Sequence, residues 1–334
     1  FACIGNGICT AALGHGRFRR PFSREDFGDG DGGSVGFCHL KQKGQNAYSD
    51  TLWGRRRQEG KLLIYFLRKS LKKMKECFLK EAEKTANDIK KNLNGDDIRF
   101  VMLTDSHLSD TGDSTRENIS AVDEKIGFDF CVHMGGIVNG NNPEKISMRL
   151  LKEDLGKYAG SIKSNKLYAV CGETDGYRNE CFVGQLAMNI MTDKLWYDEN
   201  KYLDSYENVS RVKNKPYYFA DIPEKKVRMI FLSAYMNQIN EEVGLYEKTC
   251  VFDVLQIAWL HKTALDLEDG WTVLLFSNAL PKSRFDTGSD PFIYNGYSTE
   301  QVLMVIQMAQ KRGINIGCWF AGHYNCDAET VVGG

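Results

Sequence analysis

IRFVMLTDSH, at residues 98–107, is an apolar run broken by one arginine that ends on Thr104-Asp105-Ser106-His107. Its β-branched and aromatic content predicts a strand over Ile98–Leu103. A carboxylate and an imidazole two residues apart can converge on one ion from a strand-end loop. Similar apolar runs recur downstream at Phe128–Met134, Leu167–Cys171, Val227–Leu232, Trp271–Phe276 and Ile314–Ala321. Between them, helical periodicity predicts helices near 116–126, 143–159, 179–192, 252–267 and 298–312. Several of the strands are apolar throughout, as strands buried on both faces must be, so the alternation points to an α/β fold. In such folds chemistry collects at the carboxyl ends of strands.

Those ends repay reading in order. After Thr104-Asp105-Ser106-His107 comes His133-Met134-Gly135-Gly136-Ile137-Val138-Asn139-Gly140, then Cys171-Gly172-Glu173-Thr174-Asp175. Phe276-Ser277-Asn278 follows, and Ala321-Gly322-His323-Tyr324-Asn325-Cys326-Asp327 is last. The series resembles the calcineurin-like metallophosphoesterase family over roughly residues 97–334. That family carries D-x-H, G-D-x-x-(D/N)-G, G-N-H-(D/E), a lone His after a strand, and G-H-x-H. The resemblance implies a four-layer α/β/β/α sandwich, truncated here at its C-terminus. It also implies two divalent ions (Mn, Fe or Zn) about 3.5–4 Å apart that hold a phosphate ester and activate a water.

The departures from the pattern bear on activity. Asp105 and His107 of the first block and His323 of the last are kept. Gly136 stands where the family has the bridging Asp, Glu173 where it has Asn, and Thr174 where it has His. Asn278 replaces the lone His, and Asn325 the second His of the last block. The positions at which an ion would be sought are therefore Asp105, His107, His323, Glu173, Asn278 and Asn325. An amide oxygen binds transition metals far less well than imidazole. Without the bridging carboxylate nothing offsets the repulsion of two adjacent cations, so two-metal occupancy is not expected. The reading is of a hydrolase scaffold with impaired chemistry and no assigned catalytic residue. One alternative is residual activity through a single ion on Asp105, His107 and His323, aided by Glu173. Another is a non-catalytic module that binds an anion or a protein in the old cleft. A decayed gene product is the deflating third.

Other polar residues have plainer readings. His133 is expected to pack on its strand, and His261 to be a satisfied or surface helix residue. Asp175 and Asp327 suit local turns or support of neighbouring groups. Arg178 can either reach a phosphate or sit in solvent. No Walker-type or Rossmann fingerprint occurs.

Composition sets the outer bounds. The 334 residues are 42% hydrophobic and 26% charged, with 43 basic and 44 acidic side chains. That balance excludes a strongly basic nucleic-acid protein. No run of about 18 apolar residues occurs, so no membrane-spanning helix is expected. The balance conceals segments of net +3 over 1–60, +6 over 61–94 and −10 over 95–334. Residues 1–60 hold 12 of the 32 glycines and no sustained period, and read as a Gly/Arg-rich tail, disordered or not native coding sequence. Met74 is a plausible alternative start. Residues 61–95 read as a basic amphipathic helix with Leu67, Leu71, Met74, Phe78, Ala82, Thr85, Ile89 and Leu93 at three- and four-residue steps, and residues 96–334 as the domain. The ten cysteines form no C-x-x-C pair, and Cys131, Cys171 and Cys318 sit in apolar strands. They read as small hydrophobes in a reducing, cytoplasmic setting.

Overall fold

The computed structural model describes residues 2–4, 8–13, 76–107, 112–178, 189–240, 245–250, 252–280, 293–294 and 296–323. In chain order the first elements are β1 (Ala2–Ile4), β2 (Ile8–Leu13), a helix over 76–92 (α1), β3 (Ile98–Leu103), α2 (Gly112–Ile126) and β4 (Phe130–His133). They are followed by α3 (Glu144–Ala159), β5 (Leu167–Ala169), β6 (Tyr177–Arg178), β7 (Asn189–Ile190) and α4 (Asp193–Glu199). The second half runs β8 (Val209–Arg211), β9 (Tyr218–Ile222), β10 (Val227–Leu232), β11 (Tyr235–Asn240), β12 (Leu245–Cys250) and α5 (Val254–Trp259). It closes with β13 (Thr272–Ser277), β14 (Ile293–Tyr294), α6 (Gly296–Lys311) and β15 (Asn315–Ala321).

The architecture is mixed α/β, with two five-stranded sheets in the orders β1-β2-β3-β4-β5 and β15-β13-β10-β9-β8. Strands β3, β4 and β5 are parallel, as are β10, β13 and β15. The remaining strands of each sheet add antiparallel at one side. All six sequence-predicted strands occur, and β3 and β10 match their expected bounds residue for residue.

Side-chain alternation divides the core into three parts. Ile98 and Phe100 of β3, with Phe130, Val132 and Tyr168, meet Tyr218, Met229, Phe231, Leu274, Phe276 and Phe320 of the other sheet. Phe100 stacks on Phe130 and Phe231 on Phe276, each at 5.0 Å between ring centres. Phe276 in turn meets the edge of Phe100 at 6.0 Å. Offset and edge contacts of this kind suit the ring quadrupoles. The intervening residues Val101, Leu103, Cys131, Leu167 and Ala169 face away, toward Ala82, Ile119, Val122, Leu151 and Leu155 of α1–α3. On the second sheet, Ile230, Leu232, Val273 and Leu275 face Ile257 of α5 and Val302, Val305, Ile306 and Ala309 of α6.

Three expectations are revised by this arrangement. Nine residues of the expected tail lie in β1 and β2; the rest of 1–60, and 61–75, fall outside the described residues. Within 179–192, where a helix was expected, 179–188 fall outside the described residues and Asn189–Ile190 is a strand paired with Tyr177–Arg178. The helix α4 follows it, capped by Thr192, whose side chain accepts the N–H of Leu195 at 3.2 Å. The helix expected over 252–267 is shorter and ends in a π-turn, Leu260–Ala264. Arg228 reaches the carbonyls of Thr263 and Ala264 at that turn, at 3.4 and 3.0 Å. Of the expected stripe, Ala82 is buried with Phe78 and Ile89 packed beside it, and Thr85 is half-buried; Ala86, which the stripe did not include, is buried as well, and Leu67, Leu71 and Met74 lie outside the described residues.

Candidate functional site

The carboxyl ends of β3, β4, β5, β13 and β15 meet, and the backbone turns sharply there. Asp105, His107 and His323 lie in the left-handed region at φ 51°, 41° and 69°. That conformation costs a residue with a β-carbon about 1–2 kcal/mol and persists only where surrounding contacts enforce it. Here backbone bonds do so. Asp105 N–H donates to Gly135 O at 2.9 Å, His107 N–H to Gly136 O at 2.8 Å, and Gly322 N–H to Asn278 O at 3.0 Å. Gly135 and Gly136 also have positive φ, at 91° and 68°. A β-carbon on Gly135 would lie 2.6 Å from Gly172 Cα, so the β4 and β5 loops touch backbone to backbone.

Asp175 locks those loops from within. It is fully buried, and its carboxylate accepts the N–H groups of Gly136, Ile137, Val138 and Gly172 at 2.5–3.0 Å. Burial pushes its carboxyl up to about 6, against the pull of the four donors. The expectation of a supporting turn residue is met in kind. That one carboxylate serves two loops could not be read from the sequence, because its partners are all backbone groups.

The candidate ion-binding side chains group in pairs. His107 Nε2 lies 3.8 Å from Asp105 Oδ1, and His323 Nδ1 lies 3.6 Å from Glu173 Oε2. Thr174 bonds its hydroxyl to His107 Nδ1 at 3.2 Å. Asp105 Oδ2 accepts both the His323 N–H, at 2.8 Å, and the Thr104 hydroxyl. A β-carbon on Gly136 would sit 2.5 Å from Asp105 Oδ1. The Asp105 carboxylate thus stands where a side chain at 136 would begin. Asn278 is fully buried; its amide donates to Met134 O at 2.7 Å, and its Oδ1 has no hydrogen-bond partner. Asn325, and the side chain of Arg178, lie outside the described residues.

His133 and Ser106 stand 3.0 Å apart, as a nucleophile and base would. The protonation pattern rules that pairing out. Gly135 N–H donates to His133 Nδ1 at 3.2 Å, which puts the ring proton on Nε2, facing Ser106 Oγ. Burial, with His107 a lesser cause, holds the imidazole down to about 3. A base needs the opposite tautomer and a value near neutrality. His133 packs against Tyr158 at 5.1 Å, in keeping with its expected packing role. His261 departs from its expectation, because its Nδ1 is buried without a hydrogen-bond partner.

This donor set does not fit a close pair of metal ions. Among the described residues no three His, Cys, Asp or Glu side chains are grouped so as to hold one. Position 136 offers no carboxylate to bridge, and both lone pairs of Asp105 Oδ2 are engaged. The sequence matches no protein-family model and no curated protein.

Proposed function

We propose that the chain is a calcineurin-like metallophosphoesterase-fold protein whose inherited reaction is phosphate-ester hydrolysis and whose site no longer sustains it. One observation carries the reading: five strand ends with degenerate family blocks, scattered over more than 200 residues, close into one cluster. The layering supports it. α1–α3, one sheet, the second sheet, and α5 with α6 pack in succession, which we take as the α/β/β/α sandwich. A divalent ion at an intact site of this kind supplies an activated water and holds the phosphate. Here Asp105 and Thr174 bind neighbouring protein groups instead, and Gly136 contributes nothing.

The anion-binding alternative loses its most obvious cradle. The successive N–H groups of Gly136, Ile137 and Val138 would suit a phosphate, but Asp175 already takes all three. No helix among the described residues is long and apolar enough to cross a membrane.

The test is turnover of p-nitrophenyl phosphate and bis-p-nitrophenyl phosphate by the full chain with Mn, Zn or Fe(II). The expected rate equals that of Asp105→Ala. Metal-dependent turnover that Asp105→Ala abolishes would overturn the loss of function.

A further inference from the structure

The places where the family resemblance would put ions are spanned here by the protein's own hydrogen bonds. Asp105 carries two of them. Its Oδ2 takes the His323 N–H, which ties β3 to β15, and its N–H on Gly135 O ties β3 to β4. Thr174 on His107 ties β5 to β3 at 3.2 Å. The Asn278 amide on Met134 O ties β13 to β4 at 2.7 Å. Gly322 N–H on Asn278 O ties β15 to β13 at 3.0 Å, and His323 beside Glu173 brings β15 back to β5. The contacts close a ring through all five strand ends and join both sheets.

We propose that this ring is a metal-independent clasp, centred on Asp105, that does by direct hydrogen bonding what bound ions do when they cross-link strand-end loops. The inference uses the metallophosphoesterase reading only to say where an ion would be sought; the contacts stand without it. The argument is one of competition. An ion on Asp105 Oδ2 would displace the His323 N–H or the Thr104 hydroxyl. A displaced backbone donor in a part-buried site loses its partner and keeps its desolvation cost. The space beside Gly136 is not open either, because a β-carbon there would lie 2.5 Å from Asp105 Oδ1. The clasp and an ion held through Oδ2 are therefore alternatives, and in the observed geometry Oδ2 serves the clasp.

Two measurements on the full-length chain test this. The first is thermal unfolding after EDTA treatment and dialysis, against the same protein with 1 mM Mn or Zn. The clasp predicts midpoints equal to within about 1 °C. An ion present at a hundredfold its dissociation constant would raise the midpoint by about 5 °C or more and would overturn the proposal. The second is amide hydrogen exchange. Asp105→Ala should lower protection at Gly322 and His323 by about tenfold or more while the β10 amides keep theirs. Unchanged protection at His323 would overturn the clasp. Should Asp105→Ala fail to fold, the chelation experiment, which needs no variant, decides alone. Metal stabilisation without turnover would remove the clasp and leave the impaired-hydrolase reading standing; metal-dependent turnover would remove that reading.

Discussion

His133 lies fully buried at the end of β4, with one ring nitrogen on Gly135 N–H and the other on Ser106 Oγ. Burial, then His107, keeps it neutral down to about 3, whereas an unfolded chain protonates its histidines near 6.5. The folded state thus binds fewer protons between those values. Its contribution to stability is complete above about 6.5 and falls as pH drops toward 3, by up to about 1.4 kcal/mol per unit. Asp175 has the opposite sign. Its folded value of about 6 exceeds the usual 3.8, so its contribution is complete below about 4 and is lost as pH rises through 6. The two slopes oppose each other between pH 4 and 6, and removing one exposes the other. His133→Phe should therefore lose less of its melting temperature than the parent protein between pH 7 and pH 4.5, as measured by thermal melts at both. At this scale the meeting of Asp105, His107 and His323 at the strand ends was legible, because residue type and spacing mark those ends. The occupation of position 136 by the Asp105 carboxylate was not, since a glycine says only that a side chain is missing and nothing of what fills the place.

Among the elements, the π-turn after α5 shows a local irregularity supported from another strand. A π-turn leaves carbonyls poorly paired with the helix behind it. Arg228, on β10, meets two of them while its Nε and Nη2 grip the Asp221 carboxylate at 2.6 and 2.7 Å and its guanidinium lies 3.7 Å from the Phe219 ring. A lysine has one compact ammonium and cannot reproduce a fork, a stack and two carbonyl bonds together. Arg228→Lys should cost about 2–4 kcal/mol, measured as a lower urea midpoint at unchanged slope. Strands β8 and β9 escaped sequence reading for a related reason. NVSRVKNKPYYFADI is short, polar and interrupted by a proline, and its strands are partly exposed, so neither apolar run nor strict alternation marks them. The α1 stripe, with a 3.6-residue period over several turns, was legible in advance.

For the molecule as a whole, the α/β class followed from strands that are apolar on both sides. β10 is buried at every position, and its faces divide between two cores. The pairing of sheet with sheet did not follow, because residues such as Phe100 and Phe276 lie far apart in sequence and greasy surfaces do not name their partners. Directional bonds supply that choice. Tyr218, on β9, sends its hydroxyl across to β5, where it accepts the Ala169 N–H and donates to the Ala169 carbonyl, both at 3.0 Å. Tyr206 accepts the Leu167 N–H of the same strand at 3.2 Å. Tyr218→Phe would strand two buried peptide groups and should cost about 1–3 kcal/mol by equilibrium denaturation. The same hydroxyl also works as a locating dowel. Apolar sheets packed face to face can slide or swivel with little penalty, whereas Tyr218 at one point and the Asn278 amide on Met134 at another fix two points of contact between the same two bodies. Two fixed points leave a pair of plates no freedom to turn in their common plane, so the twist of one sheet is transmitted to the other as if they were cut from a single piece.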